Sequence, residues 1–229
     1  SLPLGGKRAT RTNRDRRGRM TTVRAAAAQI DITPLVGTEL AGWCFGASAG
    51  VADRLYARVL VLEDGTGPVV IITLDLIGLG TAYADRLRAD LSRIFATPCE
   101  RVLVSCSHTH SGPAAMHLRR WGTVDPNYVE TMLSDVTAMA VKASGKLEPA
   151  TISFGETVVS GICDNRRGDR GNVVDESLPV VAVRKSGGEP IAILYNYSCH
   201  PVAAHNDRNL ISADFPGYAA RTISAAFPG

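Results

Sequence analysis

The sequence predicts an α/β domain in which helices flank a mixed β-sheet core, and three observations lead to that class. Short β-branched apolar runs alternate along the chain with amphipathic segments of helical period. Two of the runs, residues 58–62 and 69–74, are separated by a turn built on Glu63-Asp64-Gly65-Thr66-Gly67. That is too short for a helical crossover, so this pair is a hairpin and the sheet is not wholly parallel. Finally, no internal repeat or low-complexity linker divides the 229 residues, which suffice for one sizeable core.

After the hairpin, residues 81–96 place Leu87, Leu91, Ile94 and Phe95 on one helical face, with Asp85, Arg86, Arg88 and Asp90 around the rest. Pro98 ends that helix, and residues 101–106 form the next strand. A second helix opens at Asp125-Pro126 and runs to about Ser144. Its inward positions are Val129, Leu133, Val136 and Ala140, and Gly145 closes it. Strands follow at residues 150–154, 179–184 and 191–197, with the polar loop Cys163-Asp164-Asn165-Arg166-Arg167-Gly168 before the second of them. A last helix is expected after Asp214, leaving the domain incomplete at the C-terminal end.

The formal charge of +3 is unevenly spread. Residues 1–19 hold seven of the 25 basic residues and one of the 22 acidic ones, so the remainder carries 18 against 21. Residues 1–24 are therefore expected to be a disordered basic tail, with Met20 a possible natural start, and residues 25–229 to be the folded part. Lacking aromatic interleaving or a binding motif, the tail does not argue for a nucleic-acid partner. No apolar run reaches the ~20 residues that span a bilayer, and residues 25–28 are too weakly apolar for an export signal, so the default expectation is cytoplasmic. The sequon at Asn196 falls on an expected strand and is discounted. Cys44, Cys99, Cys106, Cys163 and Cys199 are odd in number and show no C-x-x-C spacing, which favours buried free thiols over a disulfide framework.

Polar side chains of chemical interest collect after strands. Asp75, the pair His108 and His110, and His200 each follow the end of a strongly apolar run. In open α/β sheets binding sites gather outside the carboxyl ends of strands. In extended backbone residues i and i+2 point the same way, so both imidazoles of His108-Thr109-His110 can face one site. Neutral imidazole is a zinc ligand as well as an acid or base near neutral pH. Solvent-facing loop histidines are the plainer alternative. Asp75 could orient a ligand histidine or simply hold a turn. A thiol nucleophile at Cys106 or Cys199, each near a histidine, is a further and less favoured alternative.

The residues then carry a resemblance. Asp31-Ile32-Thr33-Pro34, Leu55-Tyr56-Ala57-Arg58, Leu74-Asp75-Leu76, His108-Thr109-His110-Ser111-Gly112-Pro113, Asn165-Arg166-Arg167, Asn196-Tyr197-Ser198-Cys199-His200-Pro201 and Ile211-Ser212-Ala213-Asp214-Phe215-Pro216-Gly217 occur in one order. Together they resemble the N-terminal catalytic domain of the neutral/alkaline, non-lysosomal ceramidases. The resemblance implies zinc (Zn2+) held by His108 and His200, with a glutamate and a tyrosine from a downstream segment completing the site. It also implies that His110 stands beside the metal and that Arg166 contacts substrate. The implied reaction is hydrolysis of an N-acyl amide, converting ceramide to sphingosine and a fatty acid. Ala114-Ala115-Met116-His117, where that family has more glycine, points to a divergent member whose substrate could be another amide or ester. A non-catalytic binding domain of the same fold is the alternative from outside enzymology.

Overall fold

The computed structural model describes residues 23–42, 46–168, 171, 173–203 and 209–227. The expected tail thus lies outside the described residues up to position 22, and the first strand begins within its last two residues. The chain runs through β1 (Val23–Asp31), β2 (Leu40–Gly42), β3 (Gly50–Val51), β4 (Tyr56–Glu63), β5 (Val69–Leu74), α1 (Thr81–Phe95) and a 3-10 turn (Cys99–Arg101). It continues with β6 (Val102–Cys106), β7 (Ser111–Pro113), α2 (Pro126–Ser144), β8 (Glu148–Val158), β9 (Ser177–Lys185), β10 (Pro190–Tyr195), β11 (Leu210–Ile211) and α3 (Asp214–Ala226). The main sheet has seven strands in the order β10-β9-β8-β1-β4-β5-β6. Every pairing in it is antiparallel except β5 with β6. The mixed α/β class expected from the sequence is the observed one.

The hairpin of β4 and β5 alternates as a strand buried on both faces should. Val59, Val61, Val70 and Ile72 face the helices and join Leu87 and Leu91 of α1 and Val129, Leu133 and Val136 of α2 in the larger core. Leu60, Leu62 and Ile71 point to the opposite face, where a smaller core forms with Ala25, Ala150, Val183 and Leu194. Each fully buried aliphatic side chain of this kind contributes about 1.5–3 kcal/mol over its exposed state. The second core exists because the sheet curls, bringing β10 into contact with β1 although two strands lie between them.

Strand β1, central in the sheet, was not expected from the sequence, because alanine has low strand propensity. Its small side chains suit its position. Ala25 is buried in the second core and Ala26 in the first, where α2 packs directly over β1. The α2 helix starts as expected, with Asp125 accepting a 2.9 Å hydrogen bond from the Asn127 amide and Pro126 at the first helical position. On α1 the structure departs from the sequence pattern at Ile94, which is 44% exposed beside fully buried Leu91. No helix among the described residues is long and apolar enough to cross a membrane.

Two short pairings brace the strand ends. β2 pairs antiparallel with β7, and β11 pairs parallel with β3. The different burial of two α1 side chains gives a direct test of the helix register. Leu91→Ala should cost about 2–5 kcal/mol in urea unfolding, and Ile94→Ala less than about 1 kcal/mol.

Candidate metal centre

His108 and His110 leave the end of β6, whereas His200 follows β10. These are the two outer edges of the seven-stranded sheet. The ring centroids nonetheless lie 5.1 Å apart for His108 and His110, 4.9 Å for His108 and His200, and 4.6 Å for His110 and His200. One nitrogen from each ring falls within 4.8 Å of the others. Three of the four residues singled out from the sequence therefore form one cluster. The sequence left open whether the contributing strands are neighbours; β6 and β10 are not, and the curl of the sheet and the loops beyond it bring the histidines together.

Local hydrogen bonds fix each member. The amides of Ser107 and His108 donate to the carbonyls of Leu74 and Leu76, both at 2.9 Å, which ties the start of the loop to the end of β5. His108 has φ +69, so the loop is not a simple extended strand. Even so, His108 and His110 share one side, and Thr109 points the other way, donating a 2.6 Å hydrogen bond to the Ser212 carbonyl. The Nδ1 atom of His108 lies 2.7 Å from the carbonyl oxygen of Ile77. A carbonyl only accepts, so Nδ1 carries the proton and the lone pair stays on Nε2.

Of the two readings of Asp75, orienting a ligand histidine or serving as a buried, hydrogen-bonded brace, the contacts match the second. Its buried carboxylate accepts from the Tyr56 amide at 3.0 Å and pairs with Arg58 at 3.0 Å. Burial raises its pKa, and the Arg58 guanidinium opposes that rise. Asp75 thereby clamps the mouth of the hairpin, and the orienting role for His108 falls to a backbone carbonyl two residues further on. Of the five cysteines expected as buried free thiols, Cys44 lies outside the described residues, and Cys99, Cys106, Cys163 and Cys199 are free but half-buried. Desolvation pushes the Cys106 thiol up to about 12 and the Cys199 thiol up to about 11, which argues against either as the standing thiolate of a thiol enzyme.

His110 is buried, with its ring centroid 5.7 Å from that of Trp121. Burial depresses its pKa to about 4, and the neighbouring His200, His108 and Arg166 add to the shift while Asp214 opposes it. Burial, His108 and Arg166 depress His200 as well, again against Asp214. Arg166 thus lies close enough for its charge to act on both rings, though it is itself exposed on the loop between β8 and β9. The shifts favour neutral imidazole at His110 and His200, the form that binds a metal. Three imidazole nitrogens within 4.8 Å, one with its tautomer fixed for coordination through Nε2, fit the nitrogen donor set that zinc takes.

Three contributors had no sequence-based assignment. Asp214, in the left-handed region at φ +55, accepts from the Phe215 amide at 2.6 Å and from the Ala203 amide at 3.3 Å, anchoring the segment that carries His200. Trp121 lies in a polar stretch without periodicity. Gly42, at φ +121, lies so close to His110 that an added Cβ would sit 2.6 Å from the His110 Cβ and from its carbonyl oxygen. Only glycine meets both demands.

Fold and site together define an α/β domain with a candidate trihistidine metal centre at its strand ends. The chain belongs to the family described as neutral/alkaline non-lysosomal ceramidase, N-terminal, whose pattern it matches over residues 25–227. Among curated relatives, neutral ceramidase A of Dictyostelium discoideum is 27% identical over 214 residues, covering 82% of this chain and 30% of that protein. The neutral ceramidase of Drosophila pseudoobscura pseudoobscura is 25% identical over 201 residues, covering 78% and 28%. The crystal structure of neutral ceramidase from Pseudomonas aeruginosa superposes with a TM-score of 0.80 at 20% identity, covering 90% of this chain and 36% of that one. The fold is the same, and this chain spans about a third of its relatives' length.

Two measurements probe the cluster. In the metal-free chain the folded state holds His110 neutral down to about pH 4, while the unfolded chain takes up the proton near 6.5. Its contribution to stability is therefore complete above pH 6.5 and is lost as the pH falls from 6.5 towards 4. Stepped-pH urea unfolding should show this loss, and His110→Gln should remove it. Gly42→Ala should destabilise the fold by about 1–3 kcal/mol and weaken zinc binding, measured by thermal unfolding and zinc titration.

Proposed function

We propose that this chain supplies the metal-binding portion of a zinc-dependent hydrolase of N-acyl amide bonds, with ceramide or a ceramide-like lipid amide as substrate. The observation that supports this most is the convergence of three imidazoles from opposite sheet edges in a member of a ceramidase family. In this proposal His108 and His200 hold the zinc, His108 through Nε2 because Ile77 occupies its Nδ1. Once bound, zinc contributes Lewis acidity towards the amide carbonyl and acidifies water.

The chain's own groups account for the remaining chemistry. His110, dry and neutral beside the two ligands, can exchange a hydrogen bond with the scissile amide as charge develops on its oxygen. The exposed guanidinium of Arg166 offers donors at the rim, where polar groups of a lipid amide would lie. Burial and the Trp121 ring keep water from His110, which strengthens those interactions.

Catalytic zinc usually takes three protein ligands plus water. With His108 and His200 as two of them, we propose that further ligands come from a segment downstream of this chain. The chain alone should then bind zinc weakly and hydrolyse amides slowly or not at all. Zinc content and hydrolysis of a fluorogenic N-acyl sphingosine analogue should be measured on this chain and on a form extended to the relatives' length. The extended form should hold about one zinc. His108→Ala and His200→Ala should each lower zinc affinity by more than the ~10–100-fold that loss of an outer-shell partner costs. Arg166→Ala should spare the zinc and impair hydrolysis. A folded extended chain without zinc, or with zinc that survives both histidine changes, would overturn the assignment.

A further inference from the structure

The loop carrying Cys163 packs on the segment that carries Cys199 and the candidate ligand His200, although the two are far apart in sequence. Cys163 lies in the irregular loop between β8 and β9, and Cys199 lies in the segment after β10, immediately before His200. The Cys163 sulfur sits 3.3 Å from the Tyr197 hydroxyl and 3.8 Å from the Ser198 carbonyl oxygen, the two residues that precede Cys199. Tyr197 holds the arrangement by donating 2.8 Å to the carbonyl of Val159, on the Cys163 side. Both cysteines are half-buried, so small reagents can reach them. Neither is in a strand, so closing the sulfurs to bonding distance breaks no ladder hydrogen bond.

We propose that Cys163 and Cys199 form a reversible redox-modification site that a small-molecule disulfide such as oxidised glutathione converts to an intramolecular disulfide. Cys163 attacks the glutathione disulfide, forming a mixed disulfide and releasing one reduced glutathione. The second cysteine attacks the protein sulfur of that mixed disulfide, forming the Cys163–Cys199 bond and releasing the second glutathione. Two thiols are oxidised, one glutathione disulfide is reduced, and the two thiol protons end on the two glutathione molecules. The closed form tethers the loop carrying Arg166 to the segment carrying His200, so the site would be held in one arrangement when oxidised.

The test is to equilibrate the purified chain with mixtures of oxidised and reduced glutathione, alkylate the remaining thiols, and map unreduced peptides by mass spectrometry. The expected result is a linked Cys163–Cys199 peptide that grows with the oxidised fraction and disappears with dithiothreitol. In Cys163→Ser the linked peptide should be lost completely and Cys199 should be recovered alkylated. Wild-type chain in which both cysteines stay alkylated, carry separate glutathiones, or bond to other cysteines would overturn the proposal. The readout is a covalent bond between two peptides, so it stands or falls apart from the zinc-hydrolase reading.

Discussion

The candidate site depends on Ser212. Its carbonyl accepts from the buried Thr109 hydroxyl, and its amide donates to the Ser111 carbonyl at 2.9 Å, so it grips the loop that carries His108 and His110. Its hydroxyl donates to Asp53 at 2.5 Å and accepts from the Asp214 amide at 3.0 Å. Asp214 in turn holds the Ala203 amide, three residues beyond His200. One serine thus joins the segments that leave opposite edges of the sheet. Buried polar groups of this kind are costly unless fully paired, so the network has one low-energy arrangement, and that arrangement brings the imidazoles together.

The electrostatics follow from the same packing. Burial, together with the neighbouring rings and the Arg166 guanidinium, lowers the pKa of His110 and His200. Asp214 moderates this from the other side. The clamp of Asp75 on Arg58 and Tyr56 is separate, holding the strand ends from which the first loop departs. Framework and reactive cluster therefore use different carboxylates.

Much of this was legible in the residue pattern, for definable reasons. Strands β4, β5 and β6 and helix α2 announce themselves through period and turn chemistry, because each buries a continuous apolar surface. β1 hides because alanine satisfies a crowded central position without the β-branched signature of a strand. The histidines were visible as polar residues at strand ends, but strand ends say nothing about strand order, so their meeting across the whole sheet could not be derived. Asp75 looked like a histidine partner because a carboxylate after a strand is compatible with several roles, and only the positions of Arg58 and the Tyr56 amide decide among them. Gly42, Trp121 and the carbonyl of Ile77 act through shape and backbone, which leave little trace in residue type.

The bond from Thr109 to Ser212 spans 103 residues. Contacts that close such long loops form late in folding, after the intervening strands have registered. A metal that needs both sides of this closure has nothing to bind in a half-formed chain. Metal capture would then be a kinetic report on completed folding: zinc arriving during synthesis would select molecules whose sheet has already curled shut, and would slow their reopening without speeding the steps that lead there.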